Sequence, residues 1–191
     1  MKMKALVLNG SLSDQEDLTQ IQEILVEELN GSNWDVEAIS LHRKNIKPCI
    51  GCFRCWHTTP GICSGVKGDD ADDIIKKAIN SQLIVFLTPL TYGGYSSEIK
   101  KIYGRFLGLL QPGMQIVDGE VHHLKRYTEY PSHLAIGMTI KLDVEEEEIF
   151  KTLVDRNSKN FYPPRHHAGV LTYSDENMRA KVREMVKEVT Q

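Results

Sequence analysis

The whole thiol content of this chain is Cys49, Cys52, Cys55 and Cys63, gathered within residues 49–63 and spaced C-x2-C-x2-C-x7-C. Cysteines scattered at random over 191 positions would almost never gather like this. Four thiols on one loop can hold iron and sulfur, hold zinc, form disulfides or stay free. Spacing alone does not decide among these.

Two further segments could carry chemistry. Gly10-Ser11-Leu12-Ser13 follows a short apolar run. Backbone N–H groups and hydroxyls at a helix start suit an anion such as a phosphate monoester. The G-K-[ST] ending of a P-loop is missing, and so is G-x-G-x-x-G, which disfavours a dinucleotide here. A plainer reading is a capping box, Ser13 with Glu16. Asp14, Glu16 and Asp17 add three carboxylates where a phosphate would sit. One carboxylate about 4 Å from a unit charge costs roughly 4 kcal/mol at an effective dielectric of about 20. The second segment, Pro89-Leu90-Thr91-Tyr92-Gly93-Gly94-Tyr95, offers two aromatics and two glycines. It could lay backbone and a ring edge along a flat heterocycle, or be a surface loop ending in a helix cap. His57, His122, His123, His166 and His167 lack the H-E-x-x-H pattern and read as structural or solvated. No G-x-S-x-G segment supports hydrolase chemistry.

Composition narrows the class. With 41% apolar and 26% charged residues, this is the make-up of an ordinary globule. A net charge of −3 gives no electrostatic case for nucleic acid or an anionic membrane. The apolar run Ala5-Leu6-Val7-Leu8 is too short for a signal peptide, and no run reaches the ~20 residues of a membrane helix. The expectation is a cytoplasmic protein, in which thiols stay reduced.

The elements that position these segments follow from periodicity. Continuous apolar runs at 5–8 and 83–87, alternation over 34–41 with Val36, Ala38 and Ser40 against Asp35, Glu37 and Ile39, and further runs at 133–138 and 167–173 predict five strands, the first of them suited to burial on both faces. Between them, helical spacing predicts helices over 13–30, 69–80, from Ser96 or Ser97 onward, after Asp143 with a buried stripe including Ile149 and Phe150, and after a cap at Ser174. Gly104 and Gly108 suggest close approach of the third helix to the sheet. Asp118-Gly119 signals a hairpin inside 111–132. Five strands alternating with five helices predict an α/β fold: one domain over 1–191, a parallel sheet of order 2-1-3-4-5 between two helical layers. Ligands bind beyond the C-terminal ends of such strands. That topology would bring the Gly10 turn, the Thr88-Pro89 turn and the cysteine loop together.

These segments together resemble the NAD(P)H-dependent FMN reductase and iron–sulfur flavoprotein group of flavodoxin-like proteins. The resemblance runs from Lys4 to about Arg105. It is carried by Asn9-Gly10-Ser11, by Cys49-Ile50-Gly51-Cys52-Phe53-Arg54-Cys55-Trp56 with Pro60-Gly61-Ile62-Cys63 and Asp69-Asp70, by Thr88-Pro89-Leu90-Thr91-Tyr92-Gly93, and by Ser97-Glu98-Ile99-Lys100 leading to Arg105. It implies a flavodoxin-like three-layer sandwich that binds FMN. Gly10, Ser11, Ser13 and Thr19 would surround the phosphate, and Pro89, Leu90, Thr91, Tyr92 and Gly93 would line the isoalloxazine ring. It implies hydride transfer from NAD(P)H, as co-substrate, to the flavin and on to a small-molecule electron acceptor or redox partner. It also implies a homodimer or homotetramer. The chain departs from the family at Asp14, Gln15, Glu16 and Asp17, where Arg, Lys, Gly or Asn is usual, and at Gly104-Arg105, where the family has Asp-Arg.

For Cys49, Cys52, Cys55 and Cys63 the resemblance implies a 4Fe-4S cluster. Three thiols at i, i+3 and i+6 on a turning loop can cap three corners of a cube, and a fourth reaches the remaining one. Zinc is the weaker option, because all-cysteine zinc sites usually come as two separated knuckles. Reduced or redox-active thiols packing the loop are the alternative. Three functions therefore stay open: an FMN-dependent NAD(P)H oxidoreductase, an iron–sulfur flavoprotein electron carrier, and a flavodoxin-fold binding module that has lost FMN.

Overall fold

The computed structural model describes residues 2–14 and 18–191. Its strands are β1 (Met3–Asn9), β2 (Trp34–Ser40), β3 (Leu83–Pro89), β4 (Leu110–Val117), β5 (Glu120–Lys125), β6 (Ser132–Thr139) and β7 (His166–Thr172). Its helices are α1 (Thr19–Gly31), α2 (Arg54–His57), α3 (Ala71–Ile79), α4 (Ser97–Arg105), α5 (Val144–Phe161) and α6 (Met178–Thr190), with 3-10 turns at Leu41–Arg43 and Phe106–Leu109. Five strands form a parallel sheet in the order β2-β1-β3-β6-β7. The expected count of five strands omitted the antiparallel pair β4–β5. That pair closes on Asp118-Gly119, both at positive φ, as the hairpin signal required.

Alternation along the central strand builds two cores. Leu83, Val85 and Leu87 of β3 face α1 and α6, where Ile21, Leu25, Leu29, Val182 and Val186 are buried. Ile84 and Phe86 face α3, α4 and α5, where Ile74, Ile75, Ile99, Ile102, Phe150 and Val154 are buried. Helices thus cover both faces, which is why the central strand reads as an unbroken apolar run. Edge strand β2 alternates less cleanly than expected: Ile39 is buried and Ala38 exposed. No helix among the described residues is long and apolar enough to cross a membrane.

Several expected ends move. Helix α1 starts at Thr19 after Leu18 rather than at Ser13, so Ser13 is not its cap, and Glu16 of the expected capping box lies outside the described residues, as do Gln15 and Asp17. Ser174 does not cap α6, which begins after Asn177; the turn before it is instead tied by Asp175 accepting from Thr172 N–H. Asp143 does cap α5, accepting from the N–H groups of Glu145 and Glu146. Ser96 caps α4, accepting from Ile99 N–H.

His133 on β6 was expected only as the first residue of a strand, not as a buried imidazole. It is buried against Phe86 and Phe161, with ring centroids 5.5 and 6.3 Å away. Burial, with a smaller contribution from His166, pushes its pKa down to about 3. In the unfolded chain an imidazole titrates near about 6.5. Between the two values the unfolded chain holds a proton that the native one does not, so stability falls as pH drops through that window, by about 1.4 kcal/mol per pH unit. His133→Phe should therefore flatten the stability curve by about one proton between roughly pH 4.5 and 6.5. Urea unfolding at several pH values checks this, and a slope unchanged from the parent protein contradicts it.

Candidate functional site

The β1 turn and the β3 turn meet at the head of α4. Gly10 N–H bonds to Leu87 O at 2.8 Å. A side chain at Gly10 would lie 2.5 Å from Ile99 Cγ1 and 2.7 Å from Ser96 Oγ, so only glycine lets the turn seat there. Ser96 N–H donates in turn to Thr88 Oγ1 at 2.9 Å. Asn9 organises the first turn: its Oδ1 accepts from both the N–H (2.9 Å) and the hydroxyl (2.6 Å) of Ser11. Of the four residues expected at a phosphate, Gly10 and Ser11 thus spend these donors within the fold. Ser13 and Thr19 are exposed.

Beyond β3 the chain makes a two-residue turn. Thr91 and Gly94 exchange N–H···O bonds of 3.0 and 2.9 Å. Between them Tyr92 (φ 50°) and Gly93 (φ 68°) both lie in the left-handed region. That is a type I′ turn, and a tyrosine in its first central place is unusual. It holds the Tyr92 ring out in solvent, 92% exposed. Around the same edge stand more apolar side chains that water does not favour. Ile140 (86% exposed), Leu142 and Val144 follow β6, Ile149 lies on α5, Tyr173 follows β7 and Leu12 follows β1. Ile149, expected in the buried stripe of α5, instead abuts Gly93. Leu90 is held lower down, its N–H bonded to Met138 O at 2.7 Å. Pro89 is buried at the strand end, and Thr91 is exposed. A rim of exposed apolar groups at the switch point between β1 and β3 is where a flat ring would shed water.

Beside the β1 turn, Asp14 Oδ1 is gripped from the 3-10 turn after β2. It accepts from His42 Nε2 (2.8 Å), Arg43 Nε (2.9 Å) and Arg43 Nη2 (2.5 Å). Hydrogen bonds from Arg43, then from His42, hold the Asp14 carboxyl below the usual carboxylate range. His42 and Arg43 were not among the expected site residues. The available signal was their place, directly after β2 and so at the same sheet edge. The rim residues Ile140, Leu142 and Tyr173 carried a similar signal, apolar types just past strand ends.

A family model for NADPH-dependent FMN reductase matches residues 3–112, over half of the chain. The chain belongs to the NADPH-dependent FMN reductase family. Two curated relatives are named as iron–sulfur flavoproteins. One, of Methanocaldococcus jannaschii, is 30% identical over 103 residues, covering 54% of this chain and 51% of that protein. The other, of Archaeoglobus fulgidus, is 31% identical over 103 residues, covering 54% and 48%. The chain spans about half the length of the curated relatives it matches. Among solved structures, an NAD(P)H:quinone oxidoreductase from Methanothermobacter marburgensis superposes with a TM-score of 0.66 at 12% identity, covering 96% of this chain and 93% of that one. An azoreductase from Bacillus anthracis gives 0.64 at 12% identity, covering 97% of each. At such identity these show a shared fold.

The matched part of this FMN reductase family chain includes the cysteine loop, yet the loop does not join the other two turns. It packs at the far end of α4. A Cβ added at Gly104 would lie 3.6 Å from Cys49 Cβ, and one added at Gly108 would lie 3.4 Å from Cys55 Cβ. These two glycines thus seat the loop and not the sheet, contrary to the sequence expectation. Ser96 and Ile99, which seat Gly10, lie five residues or more earlier, at least about 7 Å along the helix axis. The loop is fixed there by Trp56 Nε1–H donating to Leu107 O (3.0 Å), and by Arg126 donating to Gly108 O (2.8 Å) and Leu110 O (2.9 Å). Its two ends are tied by the buried pair Arg105–Asp69 at 2.6 Å. All four cysteines are free, with Cys55 buried and Cys52 exposed. Burial pushes the Cys55 thiol up, and the charges of Cys63, Cys49 and Cys52 push it further. Among the described residues no group of three or more Cys, His, Asp or Glu stands arranged as a metal site. A separate depression of about 790 Å³, lined by Trp34, Gln82, Tyr130 and Arg165 among others, lies at the N-terminal edge of the sheet, away from both turns.

Proposed function

We propose that this chain is an FMN-dependent NAD(P)H oxidoreductase that delivers electrons to a small-molecule acceptor. The observation that carries the reading is the rim of exposed apolar side chains around the type I′ turn, at the C-terminal edge of a parallel sheet. Family membership supplies the class of ligand. The donor set fits the group: backbone and Tyr92 for a flat ring, and the Arg43 guanidinium with His42 Nε2–H already gripping a carboxylate. Bound FMN would supply two-electron hydride chemistry, accepting a hydride from the nicotinamide and passing two electrons on. The protein's part is then orientation and exclusion of water. Pro89, Leu90, Thr91, Tyr92 and Gly93 line the ring. Ile140, Leu142 and Val144 screen its edge. Gly10, Ser11, Ser13 and Thr19 frame the ribityl-phosphate side, with Asn9 holding the turn in shape. No side chain needs to act as acid or base. We read residues 1–191 as one flavodoxin-like domain, because both cores share β3. Exposed Met114, Ile116 and Val121 on the β4–β5 hairpin support a homodimer or homotetramer.

A second reading concerns the cysteine loop, as a 4Fe-4S site formed by Cys49, Cys52, Cys55 and Cys63. It is supported by the electrostatic reach of the other three thiols to Cys55 and by the names of the curated relatives. Protein purified without oxygen distinguishes the readings. A yellow flavin double band is expected. A broad brown shoulder on top of it, lost in Cys52→Ser, would add the cluster. A colourless protein that takes up no added FMN would overturn the oxidoreductase reading and leave a binding module.

A further inference from the structure

We infer that His42 and Arg43 form a phosphate-monoester site at the end of β2, kept closed by Asp14 until the phosphate arrives. The inference rests on the flavin reading above. The expected phosphate turn has no Arg or Lys over residues 10–19 and uses the Gly10 N–H and both Ser11 donors internally. A dianion therefore needs cations from elsewhere. Arg43 supplies one on the neighbouring 3-10 turn, with His42 Nε2–H as a further donor. Three donors converge on a single oxygen, Asp14 Oδ1, in the fork-and-point arrangement that an arginine makes with a phosphate oxygen. The carboxylate occupies the place of that oxygen. Because Asp is acceptor only, His42 Nε2 must carry the proton it donates. Its Nδ1 is buried and makes no hydrogen bond to any described residue, so none of them turns the ring away. Arg43 and Asp14 are both about two-thirds exposed, so the closed pair can part without disturbing the core. Such an exposed pair holds weakly in water, and a phosphate with two charges outcompetes a carboxylate with one.

Of the three carboxylates after Ser13, Asp14 is the one within the described residues. Asp14 does not lie bare against the phosphate; its charge is already met by Arg43, with His42 donating to the same oxygen.

Two ligands offer a phosphate monoester: the 5′-phosphate of FMN and the 2′-phosphate of NADPH. Equilibrium titration tells them apart, using flavin fluorescence for FMN against riboflavin and nucleotide fluorescence for NADPH against NADH. Arg43→Gln should weaken one phosphorylated ligand roughly tenfold to a hundredfold and leave its unphosphorylated partner within about twofold. Asp14→Asn should tighten the same ligand. An FMN-specific loss assigns the site to the flavin, and an NADPH-specific loss assigns it to the nicotinamide. If Arg43→Gln changes neither phosphorylated ligand, or changes riboflavin and NADH equally, the inference falls while the flavin reading stands. If the parent protein binds no FMN at all, the flavin reading falls first and takes this one with it. Circular dichroism of each variant confirms an intact fold.

Discussion

Replacing Arg105 by Met should cost about 3–5 kcal/mol of folding stability and lower the melting temperature by roughly 6–20 °C for a chain of this size. The side chains of Arg105 and Asp69 are essentially out of water, 0% and 2% exposed. Burial alone would raise the Asp69 pKa. Hydrogen bonds from Arg105 and from the N–H of Lys47 outweigh it, and the carboxyl is held below its usual range. Removing the guanidinium leaves a buried, uncompensated charge. The loss is therefore larger than the net worth of the pair. Adding Asp69→Asn to Arg105→Met separates these contributions. The amide carbonyl can still accept from Lys47 N–H, now at 3.1 Å, but brings no charge. The double variant should regain more than half of the loss in urea unfolding. A double variant no more stable than the single one would mean that lost packing, not stranded charge, sets the cost. The pair also has a local role. Arg105 donates to Lys47 O, and Asp69 closes the other end of the cysteine loop. Alkylation of buried Cys55 should accordingly speed up in Arg105→Met and slow again in the double variant.

How much of this was legible beforehand follows from what each segment must satisfy. The central strand was plain because both its faces are buried, which leaves no room for polar types. The parallel sheet followed from the alternation of strands and helices, and its order is the common one for five such strands. The Asp118-Gly119 hairpin was visible because only a few residue types tolerate two positive φ values in succession. The Tyr92-Gly93 turn obeys the same rule but hides it, since a tyrosine gives no turn signal. The start of α1 was misplaced because Ser13 and Glu16 make a plausible local cap, whereas Leu18, fully buried, is what fixes where the helix can begin. The position of the cysteine loop was not legible at all. Leaving β2 at the C-terminal edge suggested that the loop stays there. Its actual seat is decided by small residues more than 40 positions later, Gly104 and Gly108, and by the Arg105–Asp69 pair. Contacts so distant in sequence leave no periodicity to read. The grip of His42 and Arg43 on Asp14 was hidden for the same reason.

The turn that holds Tyr92 offers the most direct hold on ligand binding. Gly93→Ala should destabilise the protein by about 2–5 kcal/mol and weaken FMN tenfold or more, for two separable reasons. The first is backbone strain. Gly93 has φ 68°, where a Cβ costs about 1–2 kcal/mol. The second is overlap. The new methyl would lie 2.6 Å from Ile149 Cγ2 and 2.9 Å from Ile149 Cβ, so α5 and the turn must move apart. Overpacking of this kind costs about 1–3 kcal/mol. Ile149→Ala removes the nearer contact and, being half exposed, is mild by itself. In the Gly93→Ala background it should return part of the stability and part of the FMN affinity. Gly93→Asn keeps the overlap but suits the left-handed region better, so it should fall between the parent protein and Gly93→Ala. Thermal unfolding and flavin titration of the parent protein and these variants then give two separate measures. If affinity tracks overlap, α5 sets the depth of the flavin slot, because it is displaced only when Ile149 is crowded. If affinity tracks strain instead, the aim of the Tyr92 ring is what matters, because only the turn's own φ angles direct it. Unchanged FMN affinity in Gly93→Ala would remove this turn from the flavin site.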